Sequence, residues 1–156
     1  MNLKINRVVK NWSYSNQIKI DNGNFIPNGF GRKFKIQENV NHWEDAFKCF
    51  NLIPKAVEPL FKNFLGCNYL EGAEVHEHMD SAPKGFVHTR CNLMIKKPKE
   101  GGNPVIDGKE IDVQNNDLWL CLASLEKHKT TPVKKGERII FSFGGLVPIN
   151  QLENII

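Results

Sequence analysis

The chain predicts a mainly β fold with helices toward its N-terminal side, of the β-sandwich or jelly-roll kind. Three observations carry this. After Asn68 the sequence breaks into short strand-like runs separated by clusters of Gly, Pro, Asn and Ser. Between Asn41 and Leu65 the apolar spacing follows a helix instead. The whole is one unit: 156 residues with a hydrophobic fraction of 40% suffice for a single core, and neither an internal repeat nor a linker divides them.

Residues 1–40 read as N-terminal strands and turns. Met1–Val9 looks like the start of a strand, and Trp12 and Tyr14 share a strand face, where packing is their expected role. Ile18–Ile26 carries an Asp21-Asn22-Gly23 turn between alternating runs, the signature of a hairpin. Ile26–Arg32 is loop-like and Lys33–Ile36 a short strand. Residues 41–66 read as buttressing helices. Trp43, Ala46, Phe47 and Phe50 fall at helical spacing behind Asn41 as N-cap. Pro54 and Pro59 interrupt, so a second helix is expected over Val57–Leu65 with Gly66 as its C-cap. Residues 67–147 form the β core. Its expected strands are Tyr69–His78, His88–Lys96, Lys109–Val113, Leu118–Ser124 and Arg138–Phe143, with turns at Ser81–Gly85, Glu100–Pro104, Gln114–Asp117 and Thr131–Gly136.

Composition narrows the function classes. No apolar run approaches a membrane span and no signal-peptide core opens the chain, so a cytoplasmic protein without a membrane partner is expected. Cys49, Cys67, Cys91 and Cys121 form no Cys-x-x-Cys pair and sit among apolar residues, which points to reduced, buried thiols rather than disulfides or zinc. The net charge of +4 is concentrated in the first 40 residues, where Asp21 and Glu38 are the acids. That excess permits a nucleic acid but does not argue for one, and Lys96, Lys97, Lys99, Lys134 and Lys135 read as solvated loop charges.

The chemistry centres on Glu71–Asp80. In an extended strand side chains alternate, so His76, His78 and Asp80 share a face, adjacent ones roughly 6–7 Å apart. An imidazole and a carboxylate at i and i+2 are two parts of the 2-His-1-carboxylate triad, which binds Fe(II) on one face and leaves positions open. His128 is the candidate third ligand. An organic diacid chelating such a metal needs a fixed cation for its far carboxylate, and Arg supplies a bidentate fork that stays charged. Arg138 lies beyond a turn built on Pro132 and Gly136, within reach of the same cavity. Because His76 shares the expected parity of His78, a three-His site of His76, His78 and His128 stays open. His88 and His42 have no spaced partners and read as structural or solvated. Ser142 shares the strand face of Arg138, where a satisfied core serine is the plainer reading.

Residues 69–145 resemble the prolyl 4-hydroxylase type of 2-oxoglutarate/Fe(II)-dependent dioxygenase. The family pattern Tyr-x2-Gly-x5-His-x-Asp is present as Tyr69, Gly72, His78 and Asp80. Its strand-opening Arg is present as Arg90, its Gly-Gly turn as Gly101-Gly102, and His-x3-Pro-Val-x2-Gly-x-[Lys/Arg] as His128, Pro132, Val133, Gly136 and Arg138. The resemblance implies a double-stranded β-helix (a cupin-like jelly roll) with helices packed on one sheet. It implies His78, Asp80 and His128 as iron ligands, and Arg138 as partner of the far carboxylate of 2-oxoglutarate. It places Tyr69 where family members reach cosubstrate or substrate. Fe(II), 2-oxoglutarate and O2 are the implied cofactors, with ascorbate a candidate addition, and the implied reaction hydroxylates an aliphatic C–H bond with release of succinate and CO2. Val75 and Lys97 stand where many relatives carry aromatic residues, and the Gly-Gly turn comes early; these departures bear on substrate and cosubstrate pockets, not on the iron site. His76 and Arg90 are candidates for the substrate pocket, although Arg90 could equally pair a surface carboxylate. The substrate is open among a peptidyl proline, a free amino acid or small metabolite, and a modified nucleic acid, and oligomeric state is not specified. Two rivals remain: a metal cupin that does not use 2-oxoglutarate, and a jelly-roll binding module without catalysis.

Overall fold

The structure is a computed structural model and describes residues 7–12, 26–28, 31–35, 42–57 and 65–155. Its larger sheet has eight antiparallel strands built around β13 (Arg138–Pro148). On one side of β13 lie β6 (Phe86–Lys96), then β10 (Leu118–Cys121) and β1 (Val8–Val9). On the other lie β5 (Leu65–Tyr69), β3 (Gly31–Lys35) and β2 (Ile26–Asn28), while β4 (Ala56–Val57) pairs with β13 further along. A smaller sheet is formed in pieces: β11 (His128–Thr130), β8 (Pro104–Ile106) and β9 (Lys109–Glu110) in one ladder, β12 (Val133–Lys135) and β7 (Glu100–Gly101) in the next. Together they make a double-stranded β-helix, the jelly roll expected from the sequence. No described helix is long and apolar enough to cross a membrane.

Side-chain parity on the larger sheet explains why both of its faces are buried. On β6, Val87, Cys91 and Leu93 point outward, joined by Leu118, Leu120, Phe141, Phe143 and Val147 from the neighbouring strands. Helix α1 (His42–Lys48) covers that face with Ala46 and Phe47, and Phe50 and Leu52 follow it down. Trp12 joins the same cluster, edge-on to Phe143 at a centroid distance of 6.1 Å. Gly145 makes the close approach possible, since a Cβ there would stand 2.9 Å from Phe47 Cζ and 3.1 Å from Pro54 Cβ. The opposite parity carries Met94, Trp119, Cys121 and Ile140 inward, against Ile106, Ile111 and Val113. His88, Arg90, Asn92, Arg138 and Ser142 share that inner face. Successive residues thus alternate between an apolar core outside the sheet and, inside it, a cavity lined by apolar and polar side chains together.

Helix α1 ends as its sequence dictates. Asn51 takes φ 60°, Leu52 N–H donates to Phe47 O (3.1 Å) and Asn51 N–H to Lys48 O (3.0 Å). This is the Schellman arrangement with Asn at the left-handed position, sealed by two buried residues, Leu52 and Phe47.

Several expected elements differ. The second helix expected over Val57–Leu65 has strand at both ends, β4 and β5, and the residues between lie outside those described. Gly66, expected as a C-cap, sits inside β5 opposite Phe34 and Phe141. Short apolar runs do not by themselves separate strand from helix. Ile26–Arg32, expected as loop, contributes β2 and the start of β3; Pro27 is tolerated because β2 ends the described strand order. The Asp21-Asn22-Gly23 hairpin, Tyr14 and the Asn41 cap lie outside the described residues. The expected strand Lys109–Val113 is strand only at Lys109–Glu110; Ile111 N–H still donates to Pro104 O (2.9 Å), and Ile111 and Val113 hold the buried parity. Thr131–Gly136, expected as one turn, contains β12, and β13 runs on past Phe143 to Pro148. Cys91 and Cys121 are buried thiols and Cys49 a half-buried one.

Candidate metal centre

The segment after Tyr69 is not the regular strand that its sequence suggests. The ladder stops at Tyr69, Gly72 turns with φ 87°, and the chain then runs irregularly beside residues 123–133. Gly72 N–H donates to Val133 O (2.8 Å), Val133 N–H to Ala73 O (2.9 Å) and Thr130 N–H to Val75 O (3.0 Å). The Thr130 hydroxyl takes the Val75 N–H at 2.8 Å. His78 and His128 then form an antiparallel bridge, and Asp80 N–H donates to Ala123 O at 2.8 Å. Backbone pairing therefore delivers His78, Asp80 and His128 to one place, although the regular alternation assumed from the sequence is lost.

Their ligating atoms all lie within 4.8 Å of one another. His78 Nε2 is 3.3 Å from Asp80 Oδ1, and His128 Nε2 is 3.9 Å from the same oxygen. Donors bound at about 2.0–2.2 Å in adjacent positions around one ion stand roughly 3 Å apart, so little movement separates this arrangement from a closed site. The tautomers also fit. His78 Nδ1 is 2.7 Å from His76 O and His128 Nδ1 is 2.9 Å from Glu126 O. A carbonyl only accepts, so each Nδ1 carries a proton, and each Nε2 is the atom turned toward the shared space, where a metal would take its lone pair. Two neutral imidazoles and a carboxylate suit Fe(II) or a similar first-row divalent ion.

Glu126 is itself fixed. Its Oε1 accepts Leu122 N–H at 2.8 Å and forms a buried ion pair with Arg7. The turn leading into His128 is thus tied to the N-terminal strand, a connection that no local motif reveals.

The triad stands at the wall of a cavity of about 490 Å³ between the two sheets. Arg138 lines it, buried, with Cζ 5.2 Å above the centre of the Tyr69 ring, its opposite number in the β5–β13 ladder. Arg90 also lines it, donating from Nε (2.9 Å) and Nη2 (2.7 Å) to Ser142 Oγ, which in turn donates to Asn92 Oδ1 (2.6 Å). Ser142 is therefore part of the cavity's polar wall rather than a plain core serine. Burial pushes the Cys121 thiol up to about 12, with the Glu126 charge adding to the effect, so this wall position is neutral at physiological pH. His76 does not join the triad: it is exposed, and its side chain is absent from the cavity lining. The triad that converges is the one with the carboxylate, and the parity that linked His76 to His78 fails because the segment is not a regular strand. His88, read from the sequence as structural or solvated, is buried in the cavity wall with Nδ1 3.3 Å from Asp80 Oδ2. Its β6 parity with Arg90 was the available signal.

No protein-family model matches the sequence, and no curated protein matches it. Solved structures match the fold. An oxidoreductase of the 2OG-Fe(II) oxygenase family from Burkholderia pseudomallei aligns with a TM-score of 0.59 at 10% identity, covering 78% of this chain and 71% of that one. HygX from Streptomyces hygroscopicus, solved with nickel, 2-oxoglutarate and hygromycin B bound, aligns with a TM-score of 0.55 at 10% identity over 91% of this chain and 82% of its own. A Pseudomonas putida prolyl-4-hydroxylase aligns with a TM-score of 0.50 at 19% identity, covering 80% and 77%. These likenesses establish the fold. What this chain does rests on its own residues.

Proposed function

We propose that the protein is an Fe(II)- and 2-oxoglutarate-dependent oxygenase that hydroxylates an aliphatic C–H bond of a small molecule or peptide. The observation that supports this most directly is the convergence of His78, Asp80 and His128 on the wall of a cavity that also holds Arg138. Among the fold neighbours are a 2OG-Fe(II) oxygenase-family oxidoreductase and a prolyl-4-hydroxylase, and another, HygX, was solved with nickel and 2-oxoglutarate bound.

In this reading His78 Nε2, His128 Nε2 and one oxygen of Asp80 would hold the iron. Arg138, pinned by burial and by the Tyr69 ring, receives the far carboxylate of 2-oxoglutarate. Bound Fe(II) and 2-oxoglutarate supply, with O2, the oxidising chemistry, and succinate and CO2 leave. Trp119, Ile140 and Val105 give the cavity apolar walls that exclude water. Arg90, held by Ser142, faces the remaining space as a substrate-orienting group.

The test is anaerobic addition of Fe(II) and 2-oxoglutarate to the metal-free protein, followed by visible absorption. The expected result is the weak charge-transfer band of the chelate, appearing only when both are present. Metal binding without that band would move the protein to a cupin chemistry independent of 2-oxoglutarate. Absence of metal binding would leave a binding module.

A further inference from the structure

We propose that His88 is a positioning residue that holds Asp80 to the metal through one oxygen only and so keeps three coordination positions open. This rests on His78, Asp80 and His128 being the metal ligands. The two oxygens of Asp80 meet different surroundings. Oδ1 faces the ligand nitrogens, 3.3 Å from His78 Nε2 and 3.9 Å from His128 Nε2. Oδ2 is turned toward His88, 3.3 Å from Nδ1.

A carboxylate can bind a metal through one oxygen or both. Bound through both, Asp80 would raise the protein donors to four and leave two positions on a six-coordinate ion. A bidentate 2-oxo acid and O2 together need three. A hydrogen-bond donor on Oδ2 removes that alternative by occupying the second oxygen.

The backbone makes His88 suited to this. His88 N–H donates to Ser124 Oγ at 2.9 Å, and His88 O accepts Ser124 N–H at 3.2 Å. Asp80 N–H donates to the adjacent Ala123 O at 2.8 Å. Donor and carboxylate therefore hang from neighbouring residues of one short stretch, each tied to it by its own main chain. His88 is 5% exposed and sits within β6, so the ring has a fixed origin.

Co(II) serves as the probe, because its visible absorption reports coordination number and its titration reports affinity. His88→Asn places an amide nitrogen at the same bond distance from Cβ as Nδ1; His88→Gln moves the donor one atom outward; His88→Leu removes it. His88→Leu and His88→Gln are expected to weaken Co(II) binding by about 10–100-fold and to alter its absorption spectrum, while His88→Asn stays within about threefold of wild type. If His88→Leu fails to fold, by circular dichroism, the Gln and Asn pair decides. Wild-type affinity and spectrum in the Gln variant, or Asn behaving like Gln, would overturn the proposal. The oxygenase reading fails separately, if wild type binds Co(II) but 2-oxoglutarate leaves its spectrum unchanged; the His88 comparison still stands or falls on the metal alone. A wild-type protein that binds no Co(II) overturns both.

Discussion

His78 and His128 exchange both of their backbone hydrogen bonds, each N–H 3.0 Å from the other's carbonyl oxygen. Their rings lie 4.2 Å apart at the centroids. A hydrogen-bonded antiparallel pair sends both side chains to the same face, so this bridge, flanked by the backbone bonds of residues 72–80 to 123–133, brings two distant histidines to one ion's reach. His78→Ala or His128→Ala is therefore expected to weaken metal binding by more than roughly 100-fold, beyond the range for partners outside the ligand set. His76→Ala is expected to leave it unchanged, because His78 uses the His76 carbonyl and not its ring. Calorimetric titration with Mn(II) or Co(II) separates the cases. Loss of affinity in His76→Ala would restore the three-His arrangement.

In the proposed reading Arg138 serves the cosubstrate and not the metal, which gives it a separable signature. Its buried guanidinium is preorganised over Tyr69, so its removal should cost carboxylate binding while sparing the metal. Charged hydrogen bonds contribute about 1.5–3 kcal/mol each, so Arg138→Ala should raise the 2-oxoglutarate concentration for half-saturation by roughly 10–100-fold or more. Metal affinity measured without 2-oxoglutarate should stay at the wild-type value. Parallel loss of both would mean that Arg138 supports the fold of the site and not the cosubstrate.

The residues that cluster at the candidate site were more legible in the sequence than the elements that bring them together. His78, Asp80, His128 and Arg138 could be named because metal and carboxylate chemistry restricts residue types and spacing. The local structure beneath them could not, since Gly72 and the irregular run to Asp80 break the alternation on which the strand reading relied. His88 was missed for the same reason: its partner Asp80 approaches through tertiary structure, and nothing in the spacing links them. The Asp107-Gly108 hairpin turn is legible in its dipeptide; both residues take positive φ (48° and 81°) between paired Ile106 and Lys109, as a two-residue turn of this composition requires. Helix α1 was recognised from Ala46, Phe47 and Phe50, whose spacing fixes a buried face. No comparable stripe fixes Ala56–Val57, which is a strand because β13 offers it a ladder.

The buried Arg7–Glu126 pair couples the N-terminal strand to the turn that carries His128. Arg7→Met removes the cation and leaves a carboxylate with 5% of its side chain exposed, at an expected cost of about 3–5 kcal/mol in urea unfolding. Glu126→Gln added to Arg7→Met removes the stranded charge yet keeps an oxygen for Leu122 N–H, so the double variant should recover part of that loss. A single variant as stable as wild type would show that water or rearrangement satisfies Glu126 once Arg7 is gone.

Asp117 should make stability depend on pH in the acid range. Burial alone would raise its pKa. The Lys10 ammonium (2.8 Å) and the backbone N–H groups of Gln114 (2.8 Å) and Asn11 (2.9 Å) overcome this and hold it below the usual carboxylate value. A folded-state pKa below the unfolded one contributes stability that is fully present above the unfolded value and is lost as pH falls through the folded value. Lys10 is largely exposed, so Lys10→Met should cost less than about 1 kcal/mol, as surface pairs do. Asp117→Asn should cost about 2–3 kcal/mol near neutrality, because an amide turns donors toward donors. The gap between Asp117→Asn and wild type should then narrow as the medium is acidified below the carboxylate range. Denaturant midpoints taken at a series of pH values would show it; a gap independent of pH would assign the cost to packing and remove ionised Asp117 as its source.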